Sequence, residues 1–433
     1  HGIRPSEGLK SVIHANDFML NAHDLTHFAT QHKEAAMLKD FSLSALTAGF
    51  LAVLISYAGP MVLMFQAASA AQISTEMMIT WVWAVSIGAA VAGIVLSTLL
   101  KVPVITAWSA PGSALLITLF PALSLGEMAG AYLTAAAVML AIGWLGYFDK
   151  LMAFIPKGVA AGMMAGILFQ FGAHAFGAVA EMPFLLFAML LAYLTAKKWL
   201  PRYTVVLVFA IGLLLTALGG HLDFSRVALS ITRPVWIAPE WTLSSTLSLA
   251  LPLIMVSLTG QFLPGMAVLR LAGYTTPAKP IMTITGIASL AVACFGGISI
   301  VLAAITASLC TGTDAHADPA KRYIAGISNG VFYLIGGLFA GAIVTLFTVL
   351  PKALIAILAG LALIGAIGSN LAAAMEDTNH REAAVITFLA TASGMTFWGL
   401  GAAFWGVVIG LLAAWLLKPK TQPTLSDART HQK

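Results

Sequence analysis

Residues 102–116 read VPVITAWSAPGSALL, and this stretch decides which kind of fold the chain can form. Its first half is rich in β-branched residues, which favour a strand. A helix-compatible run follows from Pro111, and proline is common at the first position of a helix. Residues 298–312 have the same character, because the strand-like sequence ISIVL precedes a helix-compatible run from about Ala304. We therefore expect two short strands, each followed by a short half-helix.

The two stretches lie in a chain that is too apolar for a soluble protein. Of its 433 residues, 60% are hydrophobic and only 9% are charged, whereas soluble domains carry roughly 25% charged residues. The apolar runs have the length of helices that cross a bilayer. They are apolar on every face, unlike the strands of a membrane β-barrel. The composition predicts an all-α polytopic membrane protein and excludes a soluble enzyme, a nucleic-acid binder and a disordered scaffold.

About fourteen apolar segments can be counted between the polar ends of the chain. They cover residues 43–66, 79–100, 103–120, 126–147, 157–177, 182–198, 203–220, 245–272, 277–297, 298–312, 321–349, 352–374, 380–398 and 400–417. With the N-terminus inside, eleven Lys and Arg residues fall in inner loops and three in outer loops. Because cytoplasmic loops carry the excess of basic residues, we expect a multi-pass protein of the bacterial cytoplasmic (inner) membrane with both termini in the cytoplasm.

The two halves of the chain carry a faint repeat. Pro156 opens the fifth segment and Pro351 the twelfth, an offset of 195 residues that also separates the two strand-like stretches. A shift of seven segments reverses the orientation in the membrane. The sequence therefore predicts two inverted seven-segment repeats, an arrangement that is common in transporters.

Carboxylates are missing from the interior of the predicted spans. Fifteen of the seventeen Asp and Glu residues fall in tails or loops on this map, the other two, Glu127 and Glu382, stand within the first three residues of a segment, and the two cysteines form no metal motif. Catalysis inside the membrane would need such groups, so we expect neither an enzyme nor a cofactor. His23 and His27 stand one helical turn apart and could hold a metal, but a solvated tail is the favoured interpretation.

Broken backbone and neutral polar groups remain as candidates for binding. Two helix N-termini that meet at mid-membrane would present unpaired N–H groups, each terminus carrying about half a positive charge. Such a site suits a small monoanion. The residues nearest to the two termini are Ser109, Pro111 and Gly112 on one side and Ala304 and Thr306 on the other. The alternative is a tight helical break without a ligand.

The eighth and first segments offer further candidates. Gln261 lies within an apolar run and must find a partner, since an unpaired buried amide costs a few kcal/mol. It could hold a substrate oxygen or form an interhelical hydrogen bond, and Phe262 could stack on an aromatic ring. Tyr57, just before Gly59-Pro60, is a weaker candidate.

Three parts of the sequence resemble the bacterial benzoate–proton symporter family. They are ITAWSAPGSALL at 105–116, QFLPG at 261–265 with LAGY at 271–274, and LAAITASLCT at 302–311 with AHADPAKRY at 315–323. That family looks related in fold to the nucleobase, ascorbate and sulfate-permease transporters, which have seven plus seven inverted repeats and are usually dimeric. In the nucleobase relatives an acidic residue of the eighth span grips the substrate, and Gln261 occupies that place here. Phe262 stands where many family members carry Asn, so the pocket is more apolar.

The resemblance also implies a domain organisation. It divides the chain into a cytoplasmic tail (1–42), two core parts (43–147 and 245–349), two gate parts (148–220 and 350–417), an extracytoplasmic linker (221–244) and a second cytoplasmic tail (418–433). The core would carry the ligand, and the core would move against the gate in an elevator-like or rocking motion.

Together these features predict a secondary active transporter. We expect proton-coupled symport of benzoate or a similar aromatic or hydrophobic monocarboxylate, with the proton as the coupling ion. The expected partners are the small organic anion, the lipid bilayer and a second copy of the chain, and no nucleic acid. The alternative is a passive anion channel or uniporter on the same scaffold, which no ring of like charges favours.

Overall fold

The computed structural model describes residues 40–417, except 121, 155, 221–229, 305, 314, 377 and 399. The predictions for the two tails, including the histidine pair at 23 and 27, therefore lie outside the described residues. The described chain is mostly helical. Six of its helices are long and apolar enough to cross a membrane, or seven if one pair bent by 73° is a single span, and four other apolar helices are shorter. The count of fourteen segments stays a prediction.

The elements follow one another as two comparable halves. The first half contains α1 (Leu43–Ala58), α2 (Pro60–Ala70), α3 (Thr75–Leu100), β1 (Thr106–Trp108), α4 (Ala110–Leu119), α5 (Leu125–Leu145), α6 (Phe148–Phe154), α7 (Lys157–Gly177), α8 (Pro183–Trp199) and α9 (Thr204–Leu218). The second half contains α10 (Leu243–Leu271), α11 (Ala278–Ala293), β2 (Ile300–Leu302), α12 (Ala307–Thr311), α13 (Tyr323–Leu338), α14 (Ala340–Val349), α15 (Lys352–Glu376), α16 (Arg381–Ala392) and α17 (Ala402–Leu416).

Local chemistry sets several helix ends. Ser42, Ser74 and Ser124 each accept a hydrogen bond from the backbone N–H three residues later, a cap worth about 1 kcal/mol. Gly59 separates α1 from α2, and Pro60, which lacks an N–H, interrupts the hydrogen-bond ladder there. The apolar run 321–349 was expected as one segment, but it is divided into α13 and α14, which meet at 73°.

Helices that are related by the 195-residue offset have equivalent neighbours. α3 packs along α13, and their counterparts α11 and α5 pack along each other. Likewise, α8 packs against α9, and the counterparts α16 and α17 form a pair. α7 and α15 are counterparts of each other and lie side by side. Helices at the 195-residue offset therefore pack in equivalent pairs in the two halves of the chain.

Close packing among α7, α16 and α17 depends on glycine. Gly162 and Gly166 on α7, like Gly406 and Gly410 on α17, have the four-residue spacing of helix-packing motifs in membranes. A Cβ atom at Gly166 or Gly406 would collide with Thr391 of α16. As a result, α16 is held between two glycine faces.

The described part of the linker is fastened to the start of α5. Ser124 N–H donates to Glu127 Oε2 (3.0 Å) and Thr242 Oγ1 donates to Glu127 Oε1 (2.8 Å). The N–H of Glu240 donates to the carbonyl of Gly126 (2.9 Å). The first turn of α5 is thus tied to the described part of the linker.

Candidate functional site

β1 and β2 form a two-stranded antiparallel ribbon in the interior. The register pairs Thr106 with Leu302, Ala107 with Val301 and Trp108 with Ile300. Beyond the ladder, Ser109 N–H donates to the carbonyl of Ser299 (3.0 Å). At the other end, Ala303 N–H donates to the carbonyl of Ile105 (2.9 Å). Because the strands are antiparallel, α4 and α12 leave the ribbon at opposite ends, and the N-terminus of each helix faces back towards the ribbon.

Hydroxyl side chains satisfy the outer edges of the ribbon. Ser97 of α3 bonds both the N–H and the carbonyl of Val104 (3.2 Å each), and Ser289 of α11 accepts from the N–H of Ile300 (2.8 Å). Non-helical backbone survives at membrane depth only when it is buried in protein or lines a wet cavity. The two serines lie on helices that are related by the 195-residue offset. In each case a serine hydroxyl bonds the backbone of a strand or of the residues just before it.

The start of α4 is capped and tightly packed. Ser109 Oγ accepts the N–H of Gly112 (3.2 Å), and Pro111 has no N–H, so Ala110 supplies the uncapped N–H of this first turn. A Cβ atom at Gly112 would lie 2.5 Å from Leu253 Cδ1 of α10. Ser109, Pro111 and Gly112 are all buried. The expected set of several unpaired N–H groups is therefore reduced to one at this helix.

The start of α12 differs from the expectation. The helix begins at Ala307 and not near Ala304, and it has five residues. The reason is that the N–H of Ala303 still takes part in the ribbon, which leaves Ala304 and Thr306 between β2 and the helix. Ala304 is half-buried, and Thr306 is buried without capping the helix through its side chain.

Gln261 and Phe262 end a π-helical turn of α10, Leu258–Phe262. Gln261 is half-buried, and its side chain forms no hydrogen bond with any described residue. The interhelical bond that was the alternative for Gln261 is thus not found in the described part of the chain. Phe262 is fully buried in an apolar cluster with Met266 and Leu302. This turn contacts β2, which brings Gln261 to the ribbon, and π-helical turns are frequent at functional sites.

Tyr57 belongs to an aromatic cluster behind β1. Its hydroxyl shares a hydrogen bond with Ser86 Oγ of α3 (2.7 Å). The Tyr57 ring centroid lies 5.9 Å from that of Trp108 and 5.7 Å from that of Tyr333 on α13. Trp108 Nε1 is buried and finds no hydrogen-bond acceptor among the described residues. The sequence offered no signal for Tyr333, whereas Trp108 stands within the stretch that predicts the strand.

The eight predicted site residues therefore lie on or beside the ribbon. Ser109, Pro111 and Gly112 continue β1, Ala304 and Thr306 continue β2, Gln261 and Phe262 lie on the turn that contacts β2, and Tyr57 contacts β1 through Trp108. Tyr57, Ala110, Gln261 and Ala304 are half-buried among mostly buried neighbours. Their part in ligand binding stays a prediction.

A buried arginine binds backbone carbonyls at the far end of α12. Arg322 is the single buried charged residue in the described ranges. Its guanidinium donates to the carbonyls of Thr311, at the end of α12, and His316 (2.8 Å each). A cation at a helix C-terminus is favourable, so Arg322 holds α12 from the end opposite to the ribbon.

The fold is shared with solved structures of membrane transporters. The chain is similar to the structure of SLC26A9, with a TM-score of 0.60 and 14% identity over 92% of this chain and 69% of that one. It is also similar to the transmembrane domain of BicA, a cyanobacterial bicarbonate transporter, with a TM-score of 0.56 and 16% identity over 86% of this chain and 96% of that one. Identities this low establish the fold alone.

The sequence then narrows the class to one family. The chain belongs to the benzoate membrane transport protein (BenE) family, whose profile matches residues 39–416. It is 60% identical over 383 residues to the benzoate membrane transport protein of Acinetobacter baylyi, covering 88% of this chain and 97% of that protein. It is 40% identical over 365 residues to the inner membrane protein YdcO of Escherichia coli, covering 84% and 93%. The resemblance is confirmed, and the family is one of membrane transport proteins and not of enzymes.

Proposed function

We propose that this chain transports benzoate or a similar aromatic monocarboxylate across the cytoplasmic membrane. The observation that carries the proposal is the 60% identity to a benzoate membrane transport protein over almost the full length of that relative. The name of the 40% identical relative, an inner membrane protein, supports the location. The predicted orientation, with both termini in the cytoplasm, belongs to the same proposal.

The substrate carboxylate binds at the ribbon without a side-chain cation. α4 contributes the partial positive charge of a ten-residue helix together with the N–H of Ala110. α12 has only five residues, so its contribution is smaller. Ala304 and Thr306 belong to the connection between β2 and α12, and they bound the site on that side. This arrangement favours one negative charge and disfavours a dianion.

Gln261 completes the polar part of the site. Its amide lies half-buried beside β2 and has no bond to a described residue, whereas amides in such surroundings are normally paired. An amide N–H donated to a carboxylate oxygen satisfies this group. The site therefore holds a carboxylate through helix dipoles and one neutral amide.

Tyr57 provides the aromatic part of the site. Its hydroxyl is held by Ser86 and its ring packs edge-on against Tyr333, so the ring has one orientation. Aromatic pairs gain about 0.5–1.5 kcal/mol beyond their buried area. A fixed ring beside the carboxylate subsite favours benzoate over an aliphatic acid of the same charge.

The coupling proton travels on the substrate. Carboxylates and histidines of the described spans lie at helix ends, among them Glu76, Glu127 and His174. A benzoate-like acid has a solution pKa near that of Glu, about 4.3, and burial raises the pKa of a carboxyl group. Entry of the anion followed by protonation moves one proton per substrate and no net charge.

The moving parts are a core and a gate. The proposed core pairs α3 with α13 and α5 with α11, and the proposed gate pairs α7 with α15, α8 with α9 and α16 with α17. The equivalent packing at an offset of 195 residues supports inverted repeats and fourteen segments. The homodimer that the resemblance implies stays a prediction.

Uptake into liposomes tests the proposal. Purified protein should accumulate labelled benzoate when the inside is alkaline, and should take up labelled hexanoate much more slowly. A membrane potential without a pH gradient should drive no accumulation. Uptake of benzoate that ignores the pH gradient would support the uniporter or channel, and the absence of uptake for any aromatic acid would refute the proposed substrate class.

A further inference from the structure

A crevice opens into the molecule from one side. Its volume is about 370 Å³, within the range of ligand pockets. It is lined by five residues of α1 between Leu43 and Leu51, by Tyr203 just before α9 and by Leu309 of α12. All of these α1 residues precede the break at Gly59, so the crevice lies on the side of the break where α1 begins, which we call the Leu43 side.

Three phenylalanines close the region beyond the break. Phe65 of α2 and Phe347 of α14 are stacked, with ring centroids 4.4 Å apart and planes at 15°. Phe209 of α9 continues this phenylalanine stack at 5.9 Å from Phe347 and 8°. Phe65 and Phe347 are 6% and 3% exposed, so the stack is closed to solvent. Phe65 lies six residues after Gly59, and the stack is therefore on the side opposite to the crevice.

The phenylalanine stack joins parts that have to separate during transport. α2 and α14 belong to the proposed core, whereas α9 belongs to the proposed gate. The stack contains three apolar rings and no polar group, so a carboxylate that passes between them loses its hydration without compensation. α14 also lies at 73° to α13 and leads directly into α15. Phe347 therefore lies on the helix that connects the proposed core to the proposed gate.

We propose that the phenylalanine stack is the barrier that closes the site on the side opposite to Leu43, and that the crevice is the route by which the substrate enters or leaves on the Leu43 side. The inference rests on the proposed transport function. In the predicted orientation the crevice faces the cytoplasm, and the structure is the inward-facing state. Opening to the other side requires Phe347 to leave Phe209.

Cysteine accessibility tests the barrier. In a parent chain with Cys294→Ala and Cys310→Ala, Thr47→Cys reports on the crevice and Ala304→Cys on the site. Both should react with a membrane-impermeant maleimide from the Leu43 side of oriented vesicles and not from the other side. Since a minor conformation holds roughly 0.1–10% of the population, adding Phe347→Ala should raise labelling of Ala304→Cys from the opposite side about tenfold.

A matched aromatic pair provides the control. Phe169 of α7 and Phe388 of α16 lie 5.7 Å apart within the proposed gate, so Phe388→Ala should leave the sidedness unchanged. Phe209→Ala removes the stack from the gate side and serves as the second variant if Phe347→Ala does not fold. Labelling from the opposite side in the parent, or unchanged labelling in both folded variants, would overturn the barrier.

Benzoate uptake by the cysteine-free parent without reporters separates the two proposals. Altered sidedness without any uptake contradicts the transport function and keeps the barrier. Uptake with unaltered sidedness contradicts the barrier and keeps the function.

Discussion

The two short helices of the site occupy equivalent places in the repeat, yet they are stabilised in different ways. α4 has ten residues, a serine cap at its start and a glycine packed against α10. α12 has five residues and no side-chain cap, and it is held at its far end by Arg322. α4 is therefore fixed at the end that faces the ribbon, whereas α12 is a short helix that is held at the end facing away from it.

Of the substitutions that test this comparison, overpacking of α4 should have the largest effect on stability and transport. Gly112→Leu places side-chain atoms where Leu253 and Ile298 already lie, so we expect a loss of about 3 kcal/mol of unfolding free energy and no transport. Ala307 is the counterpart in α12, and Ala307→Gly should cost only about 1 kcal/mol. Thermal unfolding in detergent and benzoate uptake measure both variants. A stable Gly112→Leu protein would show that α4 is not tightly packed.

Substitution of Arg322, which holds the far end of α12, should have the second-largest effect. Arg322→Met keeps an apolar stem but leaves the carbonyls of Thr311 and His316 without their donor, at a cost of about 1–3 kcal/mol. The midpoint of thermal unfolding should fall, and the cysteine of α12, Cys310, should react faster with a maleimide than Cys294. Equal reactivity of the two cysteines in this variant would contradict a specific role of Arg322 at α12.

Removal of the Gln261 side-chain amide, which lies beside β2, should weaken substrate binding more than it lowers stability. Gln261→Ala removes one hydrogen bond to a charged group, worth about 1.5–3 kcal/mol, so KM for benzoate should rise roughly 10- to 100-fold. Thermal stability should stay unchanged, because no described residue depends on this amide. Gln66→Ala is the control, since Gln66 is also half-buried and lies on α2. The same KM in both variants would remove Gln261 from the site.

Substitution of the residues just before the two helices, Ser109 and Thr306, should give the smallest difference. Ser109→Ala removes the bond to the N–H of Gly112 and should cost about 1 kcal/mol. Thr306→Ala removes a side chain that caps nothing, and its effect should stay within about 0.5 kcal/mol. The thermal unfolding midpoints of the two variants measure this difference. A larger loss of stability for Thr306→Ala than for Ser109→Ala would contradict the difference in capping between α4 and α12.

Expectation and structure agree where neighbouring residues decide the backbone, and they differ where contacts remote in the sequence decide it. Around Ser109-Ala110-Pro111, strand formation, capping and the start of the helix are all encoded within a few residues, and the short strand and α4 lie where the sequence pattern predicts them. The later start of α12 depends on a hydrogen bond from Ala303 to Ile105, which is remote in the sequence. The 73° bend after α13 falls at Phe339, where neither proline nor a polar residue announces it.

The predicted site also depends in part on contacts that the sequence does not reveal. Gln261 was recognisable because an amide in an apolar run needs a partner. Its position against β2 depends on the π-helical turn Leu258–Phe262, which periodicity does not reveal. Tyr333 was missed because a tyrosine in an apolar helix gives no signal until its neighbours Tyr57 and Trp108 are known.

The amino-acid sequence by itself determined that this protein is a membrane protein, and it predicts that the spans hold few ionised side chains. These properties follow from composition and from neighbours along the chain, because each charged side chain or unpaired backbone group is unfavourable in lipid by itself. Only the tertiary structure decided how the two strands pair, which of the two short helices is the longer one, and that Phe65, Phe347 and Phe209 stack on one another. Those features depend on contacts between segments hundreds of residues apart, which local preferences do not specify.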